Sequence, residues 1–340
     1  MAECVPAAPA LSQELSPSER SLLVKSLAHT CGFDLVGITS TSSGVFHERY
    51  AEQMAAGYGA DMDWLFEKPE LRQDVQRVHP EARSVISLAV SYASQQPGYL
   101  AEPLASDEGW IARYAQGRDY HYDVRKMAIK LAKAMAAHPG LGFDSALHRV
   151  FVDTGPLLEK AFAHLAGLGW IGKNTLLINQ KRGSWLFLAS ILTPLELEFD
   201  APSRDHCASC TRCLDACPTS AFPAPYVLDA RKCIATWTIE TDKPEEVVNP
   251  EQLGQHVFGC DICQEVCPWN RRVPESEHPS LLPRAENLRP KLAELAALDE
   301  ESFKARFPRS AVRRTSAERM TRVIEMIQDA PSKEADLGQA

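Results

Sequence analysis

Apolar and polar positions along the N-terminal half change period every few residues, and the changes set out the expected elements. Leu22, Leu23 and Leu27 recur at helical spacing after Ser16 or Ser18, which predicts a capped helix through about Thr30 with those leucines on one face. Asp34–Thr39 reads as a short strand, and Gly44–Ala56 as a helix that runs out at Gly57-Tyr58-Gly59. Arg83–Tyr92 is β-branched and apolar, the best early strand. After a loop over Gln95–Gly109, Tyr120–His138 predicts a helix that ends before Pro139-Gly140.

Ala146–Val152 predicts a further strand, which delivers Asp153-Thr154-Gly155-Pro156. Pro156 suits the first turn of a helix to about Leu165, where its missing N–H costs nothing. Gly167-Leu-Gly-Trp-Ile-Gly-Lys-Asn174 reads as a glycine-rich turn into two strands, Thr175–Asn179 and Trp185–Thr193. Strands and helices alternate, so a sandwich of α/β or α+β type and about 200 residues is expected. A turn-rich segment follows, then a helix-rich stretch from about Leu288 to Gln328, and Ala330–Ala340 reads as a disordered end.

Composition changes this picture little. The 340 residues are 45% hydrophobic, enough for a sizeable core and more than one domain. Residues 1–18 have neither a basic n-region nor an apolar h-region, so no signal peptide is expected, and no apolar stretch approaches a membrane span. The net charge of −9 argues at face value against nucleic acid, but its distribution is uneven. From Arg271 to Arg322, twelve basic residues face eight carboxylates. That fits a phosphate-binding flank or, more commonly, an ordinary solvated face.

The cysteines change it most. Eight of ten fall between Cys207 and Cys267, in two runs that each end in Cys-Pro. The first, Cys207-x2-Cys210-x2-Cys213-x3-Cys217-Pro218, has the bacterial ferredoxin spacing, in which three thiolates hold one [4Fe–4S] cluster and the fourth crosses to another. The second, Cys260-x2-Cys263-x3-Cys267-Pro268, is one short, because Val257 stands where a cysteine would be, and Cys233 makes up the deficit. The crossover assigns Cys207, Cys210, Cys213 and Cys267 to one cluster and Cys217, Cys233, Cys260 and Cys263 to the other. Both prolines fit a chain turning away from its cluster. Zinc would take two Cys-x2-Cys pairs, and a disulfide framework would need a secreted chain. Reduced thiolates and labile clusters point to the cytoplasm. Cys31 reads as a small buried residue closing an early helix, and Cys4 as part of the N-terminal tail.

Some 200 residues precede these thiols, so an acceptor for electrons is expected there. Gly167-x-Gly169-x-x-Gly172 is a poor dinucleotide fingerprint, since it leads into strands where that motif opens a helix, and a tight turn is the better reading. Asp153 ends a strand on a loop, where active-site carboxylates often sit, but it equally suits a local turn or a helix cap. Tyr120 and His121, in Arg118-Asp-Tyr-His-Tyr122, sit at a helix start, where capping is the bland reading. His164 reads as a satisfied or exposed histidine. The cobalt-binding pattern Asp-x-His-x-x-Gly is broken, because Phe162 holds the Asp position.

Taken with Val152-Asp-Thr-Gly-Pro156, the Gly167–Asn174 block, Ala112-Arg-Tyr-Ala-x-Gly-Arg-Asp-Tyr-His121 and both cysteine runs, the chain from about Leu22 to Val323 resembles the epoxyqueuosine reductases. The resemblance implies an oxidoreductase that reduces the epoxide of epoxyqueuosine at the tRNA wobble position to queuosine. Electrons from an external donor would pass through two [4Fe–4S] clusters to cobalamin. A low-valent cobalt would engage the epoxide, and the ring oxygen would leave as water after a second electron and protonation. Asp153 matches the proton donor, and burial beside the corrin is expected to raise its pKa. Arg72, Asp153, Leu177, Leu188, Cys260 and Asp261 match cofactor contacts, and Ala112 a contact position whose side chain varies. The broken histidine motif fits a cobalamin whose lower face has no protein histidine.

The expected fold is α+β. A tail over 1–18 precedes an α/β sandwich for cobalamin and substrate over 19–198. A ferredoxin-like domain with two clusters covers 199–285, a short helical tail 286–329 and disorder 330–340. Many members of the family continue into helical repeats, so a reduced helical surface for RNA is expected where this sequence stops near Ala340. The partner implied is a tRNA anticodon stem-loop, the chain a cytoplasmic monomer without membrane contact. Two other classes compete: a dicluster electron carrier that docks to an oxidoreductase, and a cobalamin reductase of a small organohalide.

Overall fold

A computed structural model describes residues 15–141, 144–246 and 249–330. The expected tail as far as residue 14, with Cys4, and the expected disorder from residue 331 onward lie outside the described residues.

Four antiparallel strands form the central sheet in the order β1 (Leu35–Thr39), β2 (Ser84–Ser91), β7 (Leu186–Thr193), β4 (Arg149–Phe151). Every residue of β2 is buried, because helices cover both faces. Ile86, Leu88 and Val90 pack with Val24 and Ala28 of α1 (Pro17–Thr30) and with Val124 and Leu131 of α3 (Tyr120–Ala137). Val85 and Ala89 point the other way, into clusters holding Phe162 and Ala163 of α4 (Glu159–Leu165). α2 (Phe46–Ala55) lies between β1 and β2 in the chain. The sandwich is therefore α+β with an antiparallel sheet.

Local readings of the sequence are partly corrected. Ser16 caps α1 through a capping box with Glu19, so the fold begins inside the expected tail. Leu22 is 66% exposed, whereas Leu23 and Leu27 pack against the core beside the buried Ser21, Val24 and Ala28. Cys31 closes α1 and is buried, as expected. α4 starts at Glu159, three residues after Pro156, because Gly155 and Pro156 belong to the loop that carries Asp153. Part of the predicted strand from Ala146 is a 3-10 turn, Ser145–Leu147. The glycine-rich turn is itself a hairpin, β5 (Trp170–Ile171) with β6 (Leu177–Ile178). A Cβ on Gly169 would lie 2.2 Å from the Ile178 carbonyl oxygen, so only glycine lets the two backbones meet.

The helical tail is no appendage. β3 (Trp110–Ile111) pairs in parallel with β8 (His256–Phe258), although 198 and 285 were the expected domain limits. Ile111 and Phe258 share one core with Leu292, Phe303, Phe307 and Ile324, the last from helix α6 (Ala317–Asp329). A smaller core joins Trp237 of α5 (Ile234–Ile239) to Val323. The tail thus braces the strand that leads to Cys260.

Much of the Arg271–Arg322 charge is spent inside the fold. Arg289, Lys291, Lys304, Arg314, Arg319 and Arg322 form ion pairs, while Arg284 and Arg306 bind carbonyl oxygens. Among the described residues, no helix is long and apolar enough to cross a membrane.

Candidate active site and cysteine nests

The loop from β4 to α4 sets Asp153 on the wall of a cavity of about 510 Å³, within the usual range for ligand pockets. α2 contributes Phe46, Tyr50 and Met54, and the turns after it Met62, Trp64 and Leu65. β7 contributes Leu186, Phe187 and Leu188, and the cysteine-rich segment Tyr226 and Leu228. Asp153 has φ +58°, and Thr175, on the same lining, φ +64°. Left-handed backbone costs a non-glycine residue about 1–3 kcal/mol and persists only where the surroundings enforce it. Here Glu159 Oε2 accepts the Asp153 N–H at 2.8 Å, and the Thr154 N–H bonds back to the Val152 carbonyl at 2.6 Å.

Two side chains from the start of α3 converge on one oxygen of Asp153. Tyr120 Oη donates to Oδ2 at 2.7 Å, and His121 Nε2 lies 3.2 Å from the same atom. Asp119, the N-cap, accepts from the His121 backbone N–H and holds its Nδ1 at 2.8 Å. The Tyr120 ring is stacked on Phe187 at 4.0 Å and on His121 at 4.1 Å, which fixes both partners. Capping was the favoured reading of Tyr120 and His121, but Asp119 does the capping and their side chains serve Asp153. The Asp-Tyr-His-Tyr run was the available signal. What it lacked was the distant loop that it meets.

The charges in this corner are pushed apart. Burial drives the Asp153 carboxyl upward, but hydrogen bonds from His121 and Tyr120 and the charges of His121 and Lys160 outweigh it and hold the group below the usual range. The expected rise does not occur here, because the donors and positive charges around the carboxyl outweigh its burial. Burial pulls His121 down, yet its bonds to Asp119 and Asp153 and their charges raise it to about 9. Burial, followed by the Asp153 charge, raises Glu159 to about 8. At neutral pH the protons therefore sit on His121 and Glu159. Lys160 Nζ donates to the Thr175 carbonyl at 3.0 Å. Burial lowers this ammonium against the pull of Asp153 and Cys263.

Of the expected cofactor contacts, Arg72, Asp153 and Leu188 line the cavity. Arg72 is buried, donates to the Glu67 and Trp64 carbonyls, and holds the turn beside Tyr50. Leu177, Cys260, Asp261 and Ala112 are not on that lining. Leu177 is packed behind it with Ala89 and Ala163. Asp261 is buried where it accepts from Trp110 Nε1 and the Arg113 N–H. Ala112 is buried against Gly259, which has φ +70° and room for no Cβ. No histidine lines the cavity. His164 bonds the Gly169 carbonyl and packs on Phe46, and Phe162 is in the core.

The thiols form two nests that are not isolated from each other, since Cys213 adds to the charge felt by Cys263 ahead of Cys217. Cys213 is pushed up to about 11 by burial and then by Cys207, Cys267 and Cys210. Burial raises Cys263, followed by Cys233, Cys213 and Cys217, and Cys260 responds to Cys263 and Cys233. Short helices Arg212–Asp215 and Ile262–Glu265 present Cys213 and Cys263. Pro268 opens the turn after Cys267. Among the described residues no three metal-ligating side chains converge on a point fit for a single ion. The hairpin β5–β6 clamps both nests. Trp170 Nε1 donates to Cys207 Sγ at 3.4 Å, and Lys173 Nζ to the Ala208 and Cys210 carbonyls. Asn174 Nδ2 reaches the Cys263 carbonyl at 3.2 Å.

Comparison with known proteins agrees with this division. Residues 206–270 match a family model described as a 4Fe-4S double cluster binding domain, and residues 72–154 one described as epoxyqueuosine reductase QueG. An epoxyqueuosine reductase of Gloeobacter violaceus is 43% identical over 310 residues, covering 88% of this chain and 92% of that protein. That of Xanthomonas campestris is 38% identical over 323 residues, covering 94% and 89%. A solved epoxyqueuosine reductase with an epoxyqueuosine-modified tRNA-Tyr stem loop superposes with TM-score 0.79 at 29% identity, covering 90% of this chain and 80% of that one. The Bacillus subtilis enzyme, in a structure with its catalytic aspartate loop swung out of the active site, gives 0.77 at 27% identity with the same coverage.

Proposed function

Because the chain belongs to the epoxyqueuosine reductase family and so reduces the epoxide of epoxyqueuosine with two [4Fe–4S] clusters, we propose how its own residues divide the work. Cys207, Cys210, Cys213 and Cys267 hold the first cluster, and Cys217, Cys233, Cys260 and Cys263 the second. The charge neighbourhoods of the thiols support that crossover. Electrons travel from the first cluster to the second and on to the cavity. The burial of the residues around Cys260 and Cys263, against the exposure of those around Cys207 and Cys210, supports this order. Family membership leaves no ground for a non-catalytic carrier or an organohalide reductase.

Cobalamin fits the cavity. Its lining is mainly aliphatic and aromatic, with Arg49, Arg72 and Lys160 as cations. Arg72, Leu188 and the α2 aromatics would hold the group. When bound, it supplies a low-valent metal able to attack carbon and to take up electrons singly.

Asp153 is the proton donor to the leaving oxygen, since an alkoxide leaves poorly unless an acid meets it. The observation that carries this is the pair Tyr120 and His121 on one oxygen of a strained carboxylate facing the cavity. His121 stores the proton while the cavity is wet. Filling the cavity would bury Asp153 further, and desolvation would draw the proton across. The pair titrates as a unit. The substrate is a tRNA anticodon stem-loop, as in the solved relative, recognised by shape and scattered cations in the absence of a common RNA-binding motif. The chain works as a cytoplasmic monomer fed by an external donor.

Asp153→Asn tests the assignment. Turnover should fall about 10²- to 10⁴-fold, with iron, sulfide and corrinoid content unchanged. Full turnover in a variant that keeps its cofactors would remove Asp153 from the role.

A further inference from the structure

The two nests differ in what surrounds them. Asp205, His206, Ala208, Ser209, Thr211 and Arg212, which flank Cys207, Cys210 and Cys213, are all exposed. Around Cys260 and Cys263, Phe258, Gly259, Asp261, Ile262 and Gln264 are all buried. The backbone over the first nest is Ala208-Ser209, turned by a left-handed Ala208 at φ +43°. The side chains of Ala208 and Ser209 themselves are small and add little distance between a partner and the thiols. Electron transfer between proteins weakens steeply with separation, so this is the face where electrons can come in.

That face is also ringed with free positive charge. The turn Asn179–Gly183 touches it, because Gln180 Nε2 lies 2.6 Å from His206 Nε2. Asn270 is tied to the same turn through the Ser184 N–H at 2.7 Å. These ties bring exposed Lys181, Arg204, Arg212, Arg271 and Arg272 around one nest. Among the described residues none of the five has an ion-pair partner. The carboxylates nearby are engaged: Asp205 accepts from the Cys207 N–H and Tyr226 Oη, and Asp215 from Thr211 Oγ1. None of the five cations lines the cavity where the modified nucleoside is consumed.

We propose that this cationic collar around Cys207, Cys210 and Cys213 is the docking face for the electron donor, a small acidic protein that delivers one electron per encounter. The inference rests on the cluster assignment above. Each visit oxidises the carrier by one electron and reduces the first cluster by one. An epoxide leaving as water takes up two electrons and two protons, so a turnover uses two carriers. Opposite charge around a docking patch acts mainly on the association rate and makes it fall with salt.

The test uses the cluster-loaded full chain carrying Lys181→Glu, Arg271→Glu and Arg272→Glu. The probe is a fully reduced flavodoxin, an acidic flavin protein whose semiquinone reports each electron given up. Expected is a drop of at least ten-fold in the probe's electron-transfer rate at low salt and loss of its salt dependence. Reduction by dithionite, dithionite-driven turnover and affinity for the modified stem-loop should be unchanged, which keeps the cluster assignment separate from the docking face. An unchanged probe rate overturns the proposal. So does a loss of stem-loop affinity with the probe rate intact, which would give the collar to RNA. If the reversed variant loses iron, Lys181→Gln with Arg271→Gln and Arg272→Gln decides: a smaller fall supports the proposal and none refutes it.

Discussion

The cysteine nests and the acid corner are built on opposite electrostatic plans. In the nests burial, and after it the neighbouring thiols, pushes Cys213, Cys260 and Cys263 upward, so none favours the thiolate that a cluster needs. Only a cation supplied from outside resolves that, and cluster binding thereby becomes part of the folding free energy. In the acid corner unlike groups divide the protons among themselves, with Asp153 held down, His121 raised to about 9 and Glu159 to about 8. Titratable neighbours driven apart mark an acid–base pair. One region is incomplete without its cofactor. The other is preorganised before anything binds.

Breaking the nests should therefore do the greater harm. Cys263 is presented by the helix Ile262–Glu265, with its carbonyl held by Asn174, and feels Cys233, Cys217 and Cys213. Cys263→Ser should abolish turnover and lower iron and sulfide by about half, one cluster of two, with the remaining cluster still reduced by dithionite. Full iron content and activity in this variant would show that Cys263 is not a ligand. The same change leaves the acid corner's partners in place, so a normal His121 titration by NMR should accompany the loss.

The contrast also explains what was legible. The thiols announce themselves, because the cluster cysteines recur three and four residues apart, and the missing cysteine at Val257 could be traced to Cys233 by counting. β2 and β7 were legible from their apolar runs, α3 from its period and its Pro-Gly stop. The acid corner was not, because its parts are thirty residues apart and meet only through the β4–α4 loop. A lone Asp-Thr-Gly-Pro turn says nothing of Tyr120 and His121. Nor did period reveal that β3 pairs with β8, a contact between two- and three-residue strands about 145 residues apart. Leu22 misled, since it is exposed while Leu23 and Leu27 pack against the core beside Ser21, Val24 and Ala28.

Within the acid corner, His121 offers a smaller and sharper break. Its Nε2 lies 3.2 Å from Asp153 Oδ2, and in the proposed scheme it supplies the proton through that carboxylate. His121→Gln keeps a donor of similar reach and removes the titration. Turnover should fall on the order of ten-fold, less than the loss of a direct donor would cause. The informative readout is the pH profile: the parent's alkaline limb near 9 should disappear, and a merely structural histidine would leave it in place. Linkage gives the sign for stability. His121 has its pKa raised in the fold, so its contribution is full below about 6.5 and is lost as pH rises through about 9.

Glu159 gives the smallest effect, and it separates holding the loop from feeding it protons. Its Oε2 accepts the N–H of a left-handed Asp153, while Oε1 is buried with no partner. Burial and the Asp153 charge raise this carboxyl from 4.5 to about 8. A raised carboxyl stabilises the fold fully below the unfolded value and loses that contribution as pH climbs toward the folded one. Glu159→Gln keeps an oxygen for the Asp153 N–H and carries no charge at any pH. Relative to the parent, its thermal midpoint should rise progressively between pH 4.5 and about 8 and level off above. A gap on the order of 3 °C is a reasonable scale for a chain this long, and neutral-pH turnover should be nearly unchanged. A gap independent of pH would mean that Glu159 stays ionised in the fold. A fall in turnover as large as that of His121→Gln would mean that its proton, and not its grip on the loop, is what the reaction uses.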